Sequence, residues 1–188
     1  VQAAIVPMTN ERVRTMVCTP RGELEFQRYF VERGARDRVA GLRFAGADDA
    51  RPAPGVLEAI EEAEAIVICP SNPFISIGPI LAVPGVREAL ARRRESAVAI
   101  SPIVGGRALK GPAARMMRSM GMRPAAAEVA RLYGDIAGVF VLDECDRREA
   151  ARVAALGVRP VVTGTVMHGL PERRRLARTV AREMGIAP

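Results

Sequence analysis

The sequence Ala65-Ile66-Val67-Ile68-Cys69 is an unbroken apolar run, and the turn-forming residues Pro70-Ser71-Asn72-Pro73 follow it directly. Three similar runs, each rich in β-branched residues, occur later in the chain at 97–100, 139–142 and 160–163. Near-continuous apolar runs of this length are typical of parallel strands that are buried on both faces. The four runs therefore predict a parallel sheet, around which the other elements are interpreted.

Helical patterns lie beside these predicted strands. Segments 56–63 and 84–90 each have one apolar stripe, and Leu176, Val180 and Met184 recur at the i, i+4, i+8 spacing of a third helix. Strands that alternate with helices favour an α/β fold with right-handed crossovers. We therefore predict a three-layer, Rossmann-like, mostly parallel sheet.

The front of the chain has a different pattern. Two strands are predicted at Val1–Val6 and Val13–Thr19, followed by a helix over Gly22–Arg33 and a further strand over Val39–Phe44. We therefore expect one α/β domain over residues 1–188. Within it, residues 1–50 would form a small β-rich element and residues 51–188 the main α/β portion.

The charge of the chain permits binding to polyanions, because its net charge is +7. Most arginines, including the run Arg173-Arg174-Arg175, fall on predicted outer helix faces, which favours a solvated basic surface instead. No aromatic-rich binding strand, zinc knuckle or recognition-helix signature accompanies the charge, so we predict no nucleic-acid partner. Lys110 is the single lysine among 28 basic residues, which suggests a position that needs a compact ammonium.

Two further features bear on where the protein works. No apolar run approaches the roughly 20 residues that a membrane-spanning helix needs, so we predict no membrane association. The three cysteines are odd in number and share no metal-ligand spacing, which favours a reducing compartment. We therefore expect a cytoplasmic protein.

Ligands bind at the carboxyl ends of the strands in an open parallel sheet, so the loops there carry the candidate site. In the loop after 97–100, Gly105-Gly106 lets backbone N–H groups approach an anion, and Lys110 adds a charge suited to phosphate. A structural Gly/Pro turn explains this loop equally well. In the loop after 65–69, the Asn72 amide can bind a base or ribose edge, or Ser71-Asn72-Pro73 can be a rigid turn that opens a short helix.

Two other candidates have weaker signals. Asp143 and Glu144 follow the run 139–142 and are weak candidates for Mg²⁺ ligands, although a helix cap beside a solvated acid is the more common arrangement. His168 is the only histidine and has no identifiable nucleophilic partner, so we interpret it as a loop residue. No catalytic residue is assigned.

The two loops together are specific enough to indicate a family. Residues 69–85 have the sequence Cys-Pro-Ser-Asn-Pro-Phe-Ile-Ser-Ile-Gly-Pro-Ile-Leu-Ala-Val-Pro-Gly, and residues 101–112 Ser-Pro-Ile-Val-Gly-Gly-Arg-Ala-Leu-Lys-Gly-Pro. They closely resemble the 2-phospho-L-lactate transferase and phosphoenolpyruvate transferase family of coenzyme F(420) biosynthesis. The segments Gly22–Phe30 and Arg51–Gly55 are similar to it as well.

The resemblance implies a phosphotransferase-type enzyme. Such an enzyme moves a phospholactyl or phosphoenolpyruvyl group from a guanylylated, guanosine diphospho-type donor to the deazaflavin Fo, releases GMP and uses Mg²⁺. A homodimer is also expected. The residues that would bind substrate lie in the two loops: Ser71, Asn72, Pro73, Ser76, Ser101, Gly105, Gly106 and Lys110.

The resemblance covers the C-terminal part of the family pattern. The Gly-rich N-terminal strand–loop–helix of the family has no counterpart in this sequence, so we expect an incomplete site. An alternative is a nucleotide- or nucleotide-sugar-binding regulatory protein on the related fold. Such a protein would not need to keep both loop motifs, whereas this chain has both.

Overall fold

A parallel sheet lies at the centre of the computed structural model, which describes residues 3–186. The strands, in chain order, are β1 Arg14–Thr19, β2 Gly22–Glu25, β3 Gly41–Ala45, β4 Ile66–Ile68, β5 Ala97–Ile100, β6 Ile103–Val104, β7 Arg107–Ala108, β8 Val139–Leu142 and β9 Arg159–Val162. The α-helices are α1 Val56–Glu62, α2 Gly78–Leu81, α3 Val86–Arg92, α4 Ala113–Ser119, α5 Ala126–Tyr133, α6 Ala150–Ala154 and α7 Leu170–Glu183. Shorter helical turns occupy Arg28–Glu32, Pro73–Ile77, Arg94–Ser96 and Glu144–Glu149.

The central sheet has four strands in the order β4-β5-β8-β9, and all neighbours are parallel. Each strand falls within one of the four apolar runs, except that β9 begins one residue earlier, at Arg159. All four residues of β5 and of β8 are buried, as expected for central strands covered on both faces. The sequence prediction of the sheet is confirmed.

Helices cover both faces of this sheet, which gives the predicted three layers. On one face Phe140 and Leu142 belong to the main core, together with apolar side chains of α1, α3 and α5. On the opposite face Val141 belongs to a smaller core that includes Leu176 and Val180 of α7. Alternate residues of one strand thus supply two different cores, because successive side chains of a strand point to opposite faces.

The front of the chain forms a small antiparallel sheet in the order β2-β1-β3. The predicted helix over Gly22–Arg33 is wrong in its first part, where Gly22–Glu25 is a strand paired with β1. Gly22 has a φ of +114°, and its carbonyl accepts a hydrogen bond of 2.8 Å from the Thr19 hydroxyl. This closes a tight hairpin. The residues that follow therefore form antiparallel backbone hydrogen bonds with β1 instead of a helix.

The first predicted strand is also corrected. Residues 3–7 have no regular secondary structure, and Val1 and Gln2 lie outside the described residues. The Val13–Thr19 and Val39–Phe44 predictions correspond to β1 and β3 within two residues at each end. The apolar composition of 1–6 predicted extended backbone, but a strand also needs a neighbour to pair with, and no described segment pairs with residues 3–7.

No single helix within residues 3–186 is long and apolar enough to span a membrane. The segments Pro73–Leu81 and Val86–Arg92 together have the length and composition of a broken span, but they meet at 90°. Val86 and Leu90 of the second segment belong to the main core.

Candidate functional site

A cleft of about 630 Å³ opens at the carboxyl ends of β4 and β5, where the sequence predicted a site. Five of the eight predicted substrate-binding residues line it: Ser71, Asn72, Ser76, Ser101 and Lys110. The segment after β9 adds Thr165 and Met167, and the start of α7 adds Arg173. The loops therefore meet because parallel strands all present their carboxyl ends at the same edge of the sheet.

Asn72 shapes the first wall of the cleft. Its Oδ1 accepts hydrogen bonds from the backbone N–H of Phe74 at 2.9 Å and of Ile75 at 3.4 Å, which caps the helical turn that begins at Pro73. The Asn72 Nδ2 is 3.7 Å from the sulfur of Met116, a weak acceptor. Asn72 thus has the structural role that its turn sequence predicted, while its NH₂ group keeps hydrogen-bonding capacity for a ligand.

Pro73 lies outside the cleft lining. It is buried at the first position of the same helical turn, where its missing N–H costs nothing. Its contribution to the site is therefore the fixed direction in which the chain leaves Asn72.

Gly105 and Gly106 also lie outside the cleft lining. They form the two-residue turn between β6 and β7, with φ values of +57° and +75°. Two successive positive φ angles are the requirement of a type I′ hairpin turn. The Gly105 N–H donates to a carboxylate oxygen of Asp146 at 2.9 Å. This N–H is therefore already hydrogen-bonded within the protein and does not point to a bound anion.

Asp143 is buried and connects the ends of two strands. Its Oδ2 accepts from the Thr165 N–H at 2.7 Å and from the Thr165 hydroxyl at 3.1 Å, and its Oδ1 accepts from the Cys145 N–H at 3.1 Å. Burial by itself would raise the pKa of Asp143, but the hydrogen bonds from Thr165 and Cys145 outweigh it and hold the pKa below its usual value. Asp143 therefore fixes Thr165 at the cleft wall.

These contacts bear on the expected Mg²⁺ site. Both Asp143 oxygens accept hydrogen bonds from neighbours, and Glu144 is exposed. Within residues 3–186, no three side chains of His, Cys, Asp or Glu come together to hold a metal. The described residues therefore form no dedicated magnesium cage, and Mg²⁺ bound through substrate phosphates stays a prediction, through which we derive no chemical step.

Two aromatic side chains of the front element form a wall that the sequence prediction missed. Phe26 and Phe30 both line the cleft, and their rings stack with centroids 5.5 Å apart and planes 18° from parallel. Phe30 is 41% exposed, so part of its ring is accessible from the cleft. Their i, i+4 spacing in a segment that resembles the family was the available signal.

The charge of the cleft has one sign. Among the described residues that line it, Lys110 and Arg173 are charged and no carboxylate is present. Lys110 forms no ion pair with a carboxylate elsewhere in residues 3–186, and neither does Arg173. Two uncompensated cations beside serine, asparagine and aromatic groups are suited to a ligand that joins anionic groups to a ring system.

Comparison with known proteins shows the family of this chain. The family described as 2-phospho-L-lactate transferase CofD matches residues 1–168. The chain belongs to the CofD family. The family indicated by the two loop sequences is thereby confirmed.

Individual members of the CofD family are similar along almost the whole chain. The 2-phospho-L-lactate transferase of Methanosarcina mazei is 37% identical over 180 residues, a match that covers 96% of this chain and 59% of that protein. The phosphoenolpyruvate transferase of Streptomyces coelicolor is 39% identical over 188 residues, again covering 96% of this chain and 59% of the relative. The chain therefore spans about three-fifths of the length of the curated relatives that it matches.

A solved structure supports the same architecture. A Bacillus halodurans protein of the UPF0052 family superimposes with a TM-score of 0.63 at 17% sequence identity, over 93% of this chain and 60% of that chain. At this identity the likeness shows the fold alone. It agrees with the mixed α/β architecture of the CofD chain.

Proposed function

We propose that this CofD chain is part of a transferase that moves a phospholactyl or phosphoenolpyruvyl group from a guanosine diphospho-type donor to the deazaflavin Fo. The observation that carries the proposal is the composition of the cleft, where the cations Lys110 and Arg173 lie in the same lining as the aromatic pair Phe26 and Phe30. The names of the relatives supply the two candidate groups. Donor, acceptor and product are all parts of the proposal.

The reaction is a substitution at phosphorus. A hydroxyl of the Fo ribityl chain forms a bond to the donor phosphorus that carries the three-carbon acid, the bond from that phosphorus to the GMP oxygen breaks, and the hydroxyl proton is released. Such a step needs alignment and charge stabilisation more than covalent catalysis. Lys110 would stabilise the diphosphate as negative charge builds on the departing GMP.

Neutral groups of the cleft would position the two substrates. The hydroxyls of Ser71 and Ser76 and the NH₂ group of Asn72 can hydrogen-bond a ribose, a base edge or the ribityl chain. The face of Phe30 offers a surface for the planar deazaflavin ring, because aromatic rings stack in offset geometry. We leave Gly105 and Gly106 out of the diphosphate contact, since they form the β6–β7 turn.

Three expectations from the sequence accompany the proposal as predictions. Mg²⁺ would supply charge neutralisation on the diphosphate, although the described residues do not themselves form a site for it. A homodimer and a cytoplasmic location are the other two.

Binding and turnover test the proposed function separately. The 188-residue chain is titrated calorimetrically with GDP, as a donor mimic, and with Fo, and we expect saturable binding of both. Incubation with Fo, the guanylylated donor and Mg²⁺ is then followed by mass spectrometry for Fo that has gained the phosphorylated acid. Binding of neither compound would contradict the proposal. Binding of GDP without Fo would favour the nucleotide-binding regulatory protein.

A further inference from the structure

Arg173 lies on a different surface from the two arginines that follow it in the sequence. The run Arg173-Arg174-Arg175 predicted a solvated basic surface, but Arg173 lines the cleft together with Thr165 and Met167. Arg174 and Arg175 instead line a different surface, on the outside of α7. Successive residues of a helix point about 100° apart, so Arg173 faces the cleft while Arg174 faces the outer surface of α7. Arg175 donates to the Gly164 carbonyl at 3.4 Å.

The backbone that carries Arg173 is held in place on two sides. Leu176 and Val180 of the same helix are buried against the central sheet. At the start of α7 the Gly169 N–H donates to the Glu172 carboxylate at 2.8 Å. Only the Arg173 side chain therefore needs to be ordered when a ligand binds, which lowers the entropic cost of the contact.

The two cations of the cleft differ in chemistry and come from different elements. Lys110 lies in the loop between β7 and α4 and carries a compact ammonium, whereas Arg173 carries a planar fork of N–H donors on α7. The fork matches the two oxygens of a carboxylate, and the ammonium acts as a point charge toward phosphate. Together the two side chains are suited to a ligand with a phosphate and a separate carboxylate.

We propose that Arg173 binds the carboxylate of the transferred three-carbon acid and so selects 2-phosphocarboxylates over simple phosphate esters. The inference rests on the proposed function, since phospholactate and phosphoenolpyruvate both carry a carboxylate on the carbon that bears the phosphate. Arg173 is a specificity residue in this proposal, because it does not touch the phosphorus at which the bond changes.

The test compares two probes that differ by the carboxylate. 2-Phospholactate and ethyl phosphate are titrated into the 188-residue chain at matched ionic strength, with GDP as a third ligand. We expect 2-phospholactate to bind about tenfold more tightly than ethyl phosphate, the effect of one charge-assisted contact. Arg173→Gln should remove this preference. Arg173→Lys should keep only part of it, because an ammonium lacks the fork.

Arg174→Gln is the matched control, since it removes the same charge one residue away on the outer surface of α7. The Arg174→Gln variant should prefer the carboxylate-bearing probe over ethyl phosphate as strongly as the unmodified chain does. Equal binding of the two probes to the unmodified chain, or an unchanged preference in Arg173→Gln, would overturn the inference while GDP binding still supported the transferase site. An equal loss in both variants would also overturn it, because the cause would then be general charge. Failure of GDP and both probes to bind would contradict the proposed function itself.

Discussion

The carboxylate of Asp143 holds Thr165 by two hydrogen bonds, one from its backbone N–H at 2.7 Å and one from its hydroxyl at 3.1 Å. Asp143 follows β8 and Thr165 follows β9, so this contact ties together the ends of two neighbouring parallel strands. Thr165 also lines the cleft. A buried acid that resembled a metal ligand in the sequence therefore positions one wall of the candidate site.

Replacing Asp143 should destabilise the fold. Asp143→Ala leaves the buried Thr165 donors and the partly buried Cys145 N–H without their partner, and an unsatisfied buried donor costs about 1–3 kcal/mol. We expect the free energy of unfolding, measured with urea, to fall by roughly 2–4 kcal/mol. Glu144→Ala is the control, because Glu144 is exposed and should change stability by less than about 0.5 kcal/mol. Equal effects of the two variants would contradict the assigned role.

The same contact predicts a dependence of stability on pH. The folded pKa of Asp143 lies below its unfolded value of about 3.9, because the charged form accepts the hydrogen bonds. Its contribution is therefore fully present above the unfolded pKa and is lost as the pH falls through the folded pKa. The free energy of unfolding, measured with urea between about pH 6 and pH 2.5, should fall in this acid range. Asp143→Asn should have a shallower profile there, and an identical profile would count against the prediction.

Lys110 should matter for anion binding and little for folding. Its side chain lines the cleft and forms no ion pair with a carboxylate in residues 3–186, so its removal breaks no ion pair among these residues. We expect Lys110→Ala to weaken GDP binding about ten- to a hundredfold, with an unchanged melting temperature. Arg178→Ala, on the outer surface of α7, removes the same charge as a control. Unchanged GDP affinity in Lys110→Ala would remove Lys110 from the site.

A substitution at Gly106 separates the turn interpretation from the anion interpretation. Its φ of +75° disfavours most side chains, so Gly106→Ala should cost about 1–2 kcal/mol of stability. Gly106→Asn should cost less, since asparagine tolerates this conformation in hairpin turns. Both variants should bind GDP, in calorimetry at a temperature where they are folded, as well as the unmodified chain does. A loss of GDP affinity in the stable Gly106→Asn variant would restore the glycine pair as an anion contact.

Replacing Phe30 should weaken binding of the deazaflavin and leave binding of the nucleotide unchanged. Phe30→Ala removes an exposed aromatic face, and a stacking contact is worth about 0.5–1.5 kcal/mol, or roughly two- to tenfold in affinity. Quenching of Fo fluorescence measures its binding, and GDP calorimetry provides the comparison. Val31→Ala is the control, because Val31 is the next residue, is 69% exposed and does not line the cleft. An Fo affinity that Phe30→Ala leaves unaltered would exclude the aromatic wall from acceptor binding.

The sequence by itself was sufficient for the central sheet and for the edge at which the cleft lies. Strands β5 and β8 could be predicted because burial on both faces requires a local run of apolar residues, which the sequence displays directly. The edge strand β4 has the same kind of run, although Val67 is exposed. The cleft position followed from strand direction, since the loops after β4 and β5 must meet at one edge of a parallel sheet. The family could be recognised from the sequence because each of the two loops is one contiguous stretch of residues.

Pairings between segments, whether adjacent or distant in the sequence, were decided by the tertiary structure. Gly22–Glu25 has a helix-compatible composition but becomes a strand because β1 offers it a complete ladder. Gly105 gives its N–H to Asp146, 41 residues away, and this long-range partner decides between a turn and an anion contact. Arg173 and Arg174 are identical side chains, yet only one lines the cleft. The rotation of α7 about its axis makes that difference, and it is fixed by the packing of Leu176 and Val180 on the sheet, a property of two assembled surfaces that no local pattern contains.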